Sequence, residues 1–298
     1  MRFAWLAWSN PVAAWWSFLV LVSLGNIGLW LVLYHRFRGR RTGGGIFGLE
    51  PMLLLCAAYV FGCAFRAVLP RADVQRICLF DTWLSSVALG RSVATVAEIC
   101  FVAQWAIVLS LLGAMVNSDA VRGIARTIVP LIVLAECCSW YAVISTNFLA
   151  NAVENSIWAI AFGLIAVALL RLVEEFRGAM RLAIAAALIG VSAYLAFLVT
   201  IDVPMYIGRW QADLAAGKER LGWLAGLYDV AARWTVTRDF AQWRDEMAWM
   251  SLYFSAAVWS SVALSTLYLL QDHAGRLRAA PTASRRVAAW FAGTYGWR

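Results

Sequence analysis

Seven apolar stretches, each about as long as a bilayer is thick, divide this chain, and no other feature restricts its fold as strongly. A helical span needs about 20 mainly apolar residues at 1.5 Å per residue. The stretches cover residues 12–33, 48–69, 83–113, 127–148, 152–173, 180–201 and 247–270. In lipid a backbone must satisfy its own N–H and C=O groups, so each stretch is read as a helix. Composition agrees: 63% of residues are hydrophobic, only 14% are charged and the mean hydropathy is +0.72, whereas soluble chains carry about 25% charged residues. The fold class expected is an all-α integral membrane protein of about seven transmembrane helices. Residues 1–270 form a single membrane domain and 271–298 a basic tail, in a plasma or inner membrane.

Orientation follows from where the net charge of +8 sits. With the N-terminus outside and the C-terminus in the cytoplasm, the inner segments hold fourteen arginines, among them Arg36, Arg38, Arg40, Arg41, Arg122, Arg126, Arg285 and Arg286, against five acids. The outer segments, with Arg66 and Glu154 counted among them, balance at ten of each sign. Cytoplasmic loops collect Lys and Arg, so this orientation is expected. The surplus charge points to anionic inner-leaflet lipid at the basic loops and tail, and away from nucleic acid. Between spans six and seven lies the largest loop, 202–246, which Pro204 opens by ending span six. Leu221, Leu224, Leu227, Tyr228 and Ala231 recur there at helical spacing, and Trp210, Trp223, Trp234, Trp243 and Trp249 lie along and just past it. Amphipathic helices at the outer headgroup level are the expectation, as an anchoring collar or as a lid.

Several chemistries lack their residues. His35 and His273 are the only histidines and lie beyond span ends, so haem ligation by two histidines and histidine-based zinc chemistry inside the bilayer have no ligands. Lys218, the sole lysine, sits in a loop, which removes a buried Schiff base. The six cysteines form no CxxC pair and mostly lie in apolar spans, where a thiol behaves as a small hydrophobe. Gly43 to Gly45 lacks the Lys-Ser/Thr of a phosphate loop, and no HExxH or GxSxG occurs. No metal site and no cofactor is expected.

The polar residues that remain inside spans are the candidates, because intramembrane charge is costly and concentrates at functional sites. At 100° per residue, Glu98 lies about 20° and Thr95 about 40° from Arg91, so the three form one stripe, while Gln104 points nearly opposite. Glu136 sits at similar depth in the antiparallel fourth span, with Trp140 and Asn147 on its face. Arg91, Glu98 and Glu136 are therefore the candidate catalytic residues. Thr95, Gln104, Trp140, Asn147, Asp202, Ser255 and Trp259 are the candidate substrate-binding residues. One arginine against two carboxylates leaves a negative charge over, so one glutamate is expected to hold a proton.

Two readings follow. In the first, a carboxyl and a carboxylate perform acid/base chemistry, of isomerase or cyclase type, on a lipid-soluble isoprenoid or sterol-like substrate. In the second, the chain is a small transporter, a sensor or a structural subunit, and the cluster clamps helices or responds to ions. Membrane lipid and a small lipid-soluble ligand are the expected partners; association into an oligomer or complex stays open.

Overall fold

The computed structural model describes residues 10–38 and 50–279, except for the side chains of 272–279. Seven helices in it are long and apolar enough to cross a membrane, and the chain is a multi-pass integral membrane protein. The helices begin where the sequence supplies caps. Asn10 accepts from the Val12 N–H and Pro11 opens α1 (Pro11–Phe37); α2 spans Pro51–Val68. Ser86 caps α3 (Val87–Met115) and Ser118 caps α4 (Asp119–Ser145). At the end of α4, Thr146 takes a left-handed φ of 54°. Asn147 then caps α5 (Phe148–Glu175), so two residues reverse the chain and make α4 and α5 antiparallel neighbours. Arg40, Arg41, Gly43 to Gly45, Arg285, Arg286 and Arg298 lie outside the described residues.

The sixth span does not stop at Pro204. α6 (Gly178–Phe197) passes through a π-helical turn, Leu198–Asp202, into α7 (Val203–Ala215). A proline inside a regular helix removes one hydrogen bond and crowds the preceding turn; the wider turn just before Pro204 absorbs both effects, and the helix continues. The last span is also longer than its apolar stretch: α9 (Phe240–Leu252) runs through a π turn at Tyr253–Ala257 into α10 (Val258–Ala279). What remains of the long loop holds α8 (Trp223–Ala232) and a two-residue strand. Trp243, expected among the headgroups, is instead fully buried, with its N–H donating to the Thr237 carbonyl and its ring against Trp15.

Each helix from α1 to α6 packs on the next in the chain, and α10 returns to pack on α1, α2 and α3. Small residues let α2 and α3 approach closely, since a Cβ on Gly62 would stand 2.9 Å from that of Ala97. α6 rests on α5 through one narrow stripe, Met180, Ile184, Val191 and Leu198, while Leu182 and Ile189 are exposed. Apolar side chains turned outward along a span are what lipid accommodates.

One end of the bundle carries a folded cap. Strand β1 (Arg71–Ala72) pairs antiparallel with β2 (Ile77–Cys78), and β2 pairs parallel with β3 (Thr235–Val236), which ties the α2–α3 connection to the α8–α9 connection. Arg76 donates to Asp229 and to the Val143 carbonyl, stapling α8 to α4. Arg209 pairs with Glu246 at 3.0 Å and joins α7 to α9. Arg71 is buried where Gly90 leaves space for its guanidinium. Burial pushes Arg71 down to about 10, so it remains a cation at neutral pH beside Asp73 at 3.0 Å.

Candidate functional site

Arg91 lies in the second turn of α3 and reaches toward the membrane interior along its own helix. Its Nη2 donates to Glu98 Oε2 at 3.0 Å and to both Glu136 oxygens at 3.0 and 2.8 Å. The two hydrogens of that nitrogen are thus divided among three carboxylate oxygens on two helices. The seven-residue spacing in α3 permits this, because it places Arg91 and Glu98 on one face two turns apart. Arg91 Nη1 lies 3.9 Å from Glu154 Oε1 on α5. Glu98, Glu136 and Glu154 present oxygens that all lie within 4.8 Å of one another. By helical rise, the three carboxylates sit about 9–16 Å inside the cap-side helix ends.

The surroundings divide the load unequally. Glu136 also accepts from the Thr95 hydroxyl, which in turn accepts from the Trp140 N–H at 3.1 Å. Glu98 accepts from Tyr253 Oη at 2.9 Å and lies 3.6 Å from Arg66 Nη1. Arg66 is itself seated over the Tyr253 and Phe254 rings. Glu154 has the long contact to Arg91, a hydrogen bond from Asn151 Nδ2 at 3.0 Å, and the Ser139 hydroxyl facing it from α4. Among the described residues, Arg91 Nε and Asn151 Oδ1 of this region are buried with no hydrogen-bond partner.

Of the residues singled out in the sequence, Arg91, Glu98, Glu136, Thr95 and Trp140 come together. The other five do not. Gln104 faces away and hydrogen-bonds Ser261 and Ser265 on α10. Asn147 is spent as the cap of α5. Asp202 closes the π turn below α7, nearer Arg209 and Glu246 than the cluster. Ser255 donates to the Ser251 carbonyl of its own helix, and Trp259 donates to Asn26 on α1.

Arg66, Glu154 and Tyr253 belong to the cluster and were not expected there. Arg66 falls in the last turn of α2 and Glu154 in the second of α5, positions where charges ordinarily sit at the headgroups. The signal available for Glu154 was Asn151 three residues earlier, a pair of polar side chains on one helix face.

Two arginines now face three glutamates, so the count still leaves one negative charge when all are ionised. Aromatic side chains flank the carboxylates on both sides. Glu98 touches Tyr253, whose ring packs against Tyr59, which stacks on Phe101. Glu154 is one turn from Trp158, which contacts Phe162, and Phe162 packs edge-on to Tyr194 of α6. Comparison with known proteins finds no matching family, no matching curated protein and no matching solved structure.

Proposed function

We propose that the buried cluster performs acid/base chemistry on a lipid-soluble molecule, with an isoprenoid or sterol-like skeleton as the substrate class. The observation that carries this reading is the juxtaposition of three carboxylates and two arginines between two aromatic groups inside the span region. An alkene isomerisation needs a proton delivered to one carbon and another removed from a neighbouring carbon, with no net gain or loss. The balancing proton supplies the first step. A carboxylate held ionised by Arg91 accepts in the second. The aromatic faces stabilise the cation formed between them. α6 packs on α5 and α10 on α1 to α3, while the Arg209–Glu246 pair joins their continuations at the cap end.

A second reading rests on the fact that α2, α3, α4, α5 and the π turn between α9 and α10 all contribute to the cluster. Such a clamp suits a non-enzymatic transporter, sensor or subunit, with the charges fixing helix register.

One experiment separates them. A host expressing the wild type or Glu98→Gln at matched levels of folded protein is profiled for lipids and small molecules. The enzyme reading expects a species formed by the wild type and reduced at least about 100-fold by the substitution, the span of general acid–base contributions. Identical profiles from two folded proteins overturn it in favour of the clamp.

A further inference from the structure

Counted with every group ionised, the cluster carries one negative charge too many, and its three carboxylates are not equally placed to give it up. Glu136 takes Arg91 Nη2 on both oxygens and the Thr95 hydroxyl besides. That hydroxyl already accepts from the Trp140 N–H, which leaves its own hydrogen for Glu136. Glu98 takes Arg91 Nη2 on one oxygen; on the other it has Tyr253 Oη, with Arg66 Nη1 at 3.6 Å. A guanidinium has hydrogens to give and no acceptor, so a proton added to either carboxylate would face the donors that hold it. Glu154 is placed differently. Its nearest guanidinium nitrogen, Arg91 Nη1, stands 3.9 Å away, outside hydrogen-bond reach, because Arg91 turns its other terminal nitrogen to Glu98 and Glu136. The groups that hydrogen-bond Glu154 are neutral: the Asn151 amide, 3.0 Å from Oε2, and the Ser139 hydroxyl facing it from α4. A hydroxyl accepts as readily as it donates, so Ser139 suits a protonated carboxyl as well as an ionised one. The other titratable groups that face Glu154 are Glu136 and Cys138 on α4, Tyr194 on α6 and Tyr206 on α7. None of them brings a positive charge.

We infer that Glu154 carries the cluster's proton and is the proton donor of the proposed reaction; its role as donor rests on the acid/base reading, whereas the place of the proton does not. In that reaction the O–H bond of Glu154 breaks as a C–H bond forms at one alkene carbon, leaving a carboxylate and a carbocation. A carboxylate held ionised by Arg91 then takes a proton from the neighbouring carbon, and the electron pair of that C–H bond becomes the shifted double bond. Nothing is oxidised or reduced. The proton returns to Glu154 across the cluster, whose three carboxylates have oxygens within 4.8 Å of one another, a gap that one water bridges. Glu154 lies one turn from Trp158, on the side of Phe162 and Tyr194, whereas Glu98 lies on the side of Tyr253, Tyr59 and Phe101. Donor and acceptor thus each have an aromatic group beside them to steady the cation.

Two measurements test this. In the first, the full chain is purified in detergent at neutral pH, and infrared spectra and thermal unfolding are compared for wild type, Glu154→Gln, Glu98→Gln and Glu136→Gln. Glu154→Gln is expected to lose the carbonyl band of a protonated carboxyl and to unfold with the wild type, since a neutral amide replaces a neutral acid. The other two lose carboxylate bands and unfold several degrees lower, because each takes a charge away from Arg91. A protonated-carboxyl band that survives in Glu154→Gln and vanishes in Glu98→Gln or Glu136→Gln overturns the inference. In the second, the same variants are expressed in the host at matched levels of folded protein and profiled for lipids and small molecules. The species formed by the wild type should fall at least about 100-fold with Glu154→Gln and recover in part with Glu154→Asp, which keeps an acid at the position. Undiminished product from Glu154→Gln, with Glu98→Gln inactive, leaves the acid/base reading standing and removes Glu154 as its donor. A wild type that forms no such species removes the reading and the donor role together, while the infrared band still locates the proton. Should Glu154→Gln fail to fold, Glu154→Asp decides both: a carboxyl band shifted from its wild-type position, and a reduced yield of product, are expected, and an unmoved band overturns the inference.

Discussion

Arg91 is the residue on which the buried charges depend, because it is the only side chain that contacts Glu98, Glu136 and Glu154 together among the described residues. Removing one partner of a buried ion pair costs about 3–5 kcal/mol, since the remaining charge has lost its compensation. Arg91→Met takes the cluster from an excess of one negative charge to two, and is expected to destabilise the fold by about that amount. Adding Glu136→Gln returns the excess to one. The double variant should therefore be more stable than Arg91→Met alone, although it has lost more hydrogen-bonding groups than the single one. Thermal unfolding and the yield of monodisperse protein in detergent, measured across wild type, both single variants and the double, check the sign. A double variant less stable than Arg91→Met would mean that hydrogen bonding, and not charge balance, sets the energy of the site.

At the scale of elements, α8 is held where a side chain would not fit. A Cβ added to Gly226 would lie 2.1 Å from the carbonyl oxygen of Ile144, a backbone atom near the end of α4 that cannot rotate aside. Gly226→Ala is expected to lift α8 from α4 and strain the Arg76–Asp229 pair, at about 1–3 kcal/mol, the usual cost of overpacking. Faster proteolysis in the 216–239 segment, with a lowered unfolding temperature, is the measurement; unchanged protection would show that α8 is not seated by this contact. Helical arithmetic could not foresee that seat. It anticipated a helix around Leu224, Leu227 and Tyr228, and those three side chains are exposed while Gly226, Asp229 and Val230 face the protein. The same limit explains what was legible at the site. Arg91, Thr95 and Glu98 could be placed on one stripe because angle alone decides it, and Gln104 opposite for the same reason. Which helix supplies Tyr253, and how far Arg66 and Glu154 lie inside, depends on how helices pack and on the reach of a long arginine side chain. Neither is encoded by spacing within one span.

Across the whole molecule, the two ends of the bundle treat charge differently. The cap end consumes its own: Arg71 pairs with Asp73, Arg76 with Asp229, Arg209 with Glu246, and Lys218 with Asp213. The opposite end gathers Arg36, Arg38, Arg122, Arg126, Arg171, Arg177 and Arg181 near helix ends with fewer acids. Translocated segments with balanced, internally paired charge and retained segments rich in arginine are what the positive-inside rule separates. The cap is therefore expected on the outer side and the α5–α6 join in the cytoplasm. Two single substitutions test this. Glu219→Cys, in the exposed turn before α8, should react with a membrane-impermeant maleimide on intact cells. Arg177→Cys, between α5 and α6, should react only once the membrane is opened. Cys137, the exposed native thiol on α4, lies within a span, so the wild type measured in parallel supplies the background. The reverse pattern would place the cap inside, and the arginines at the other end would then require a partner other than inner-leaflet lipid. It would also reverse the side nearer the carboxylates, since these lie closer to the cap-side helix ends than to the far ones.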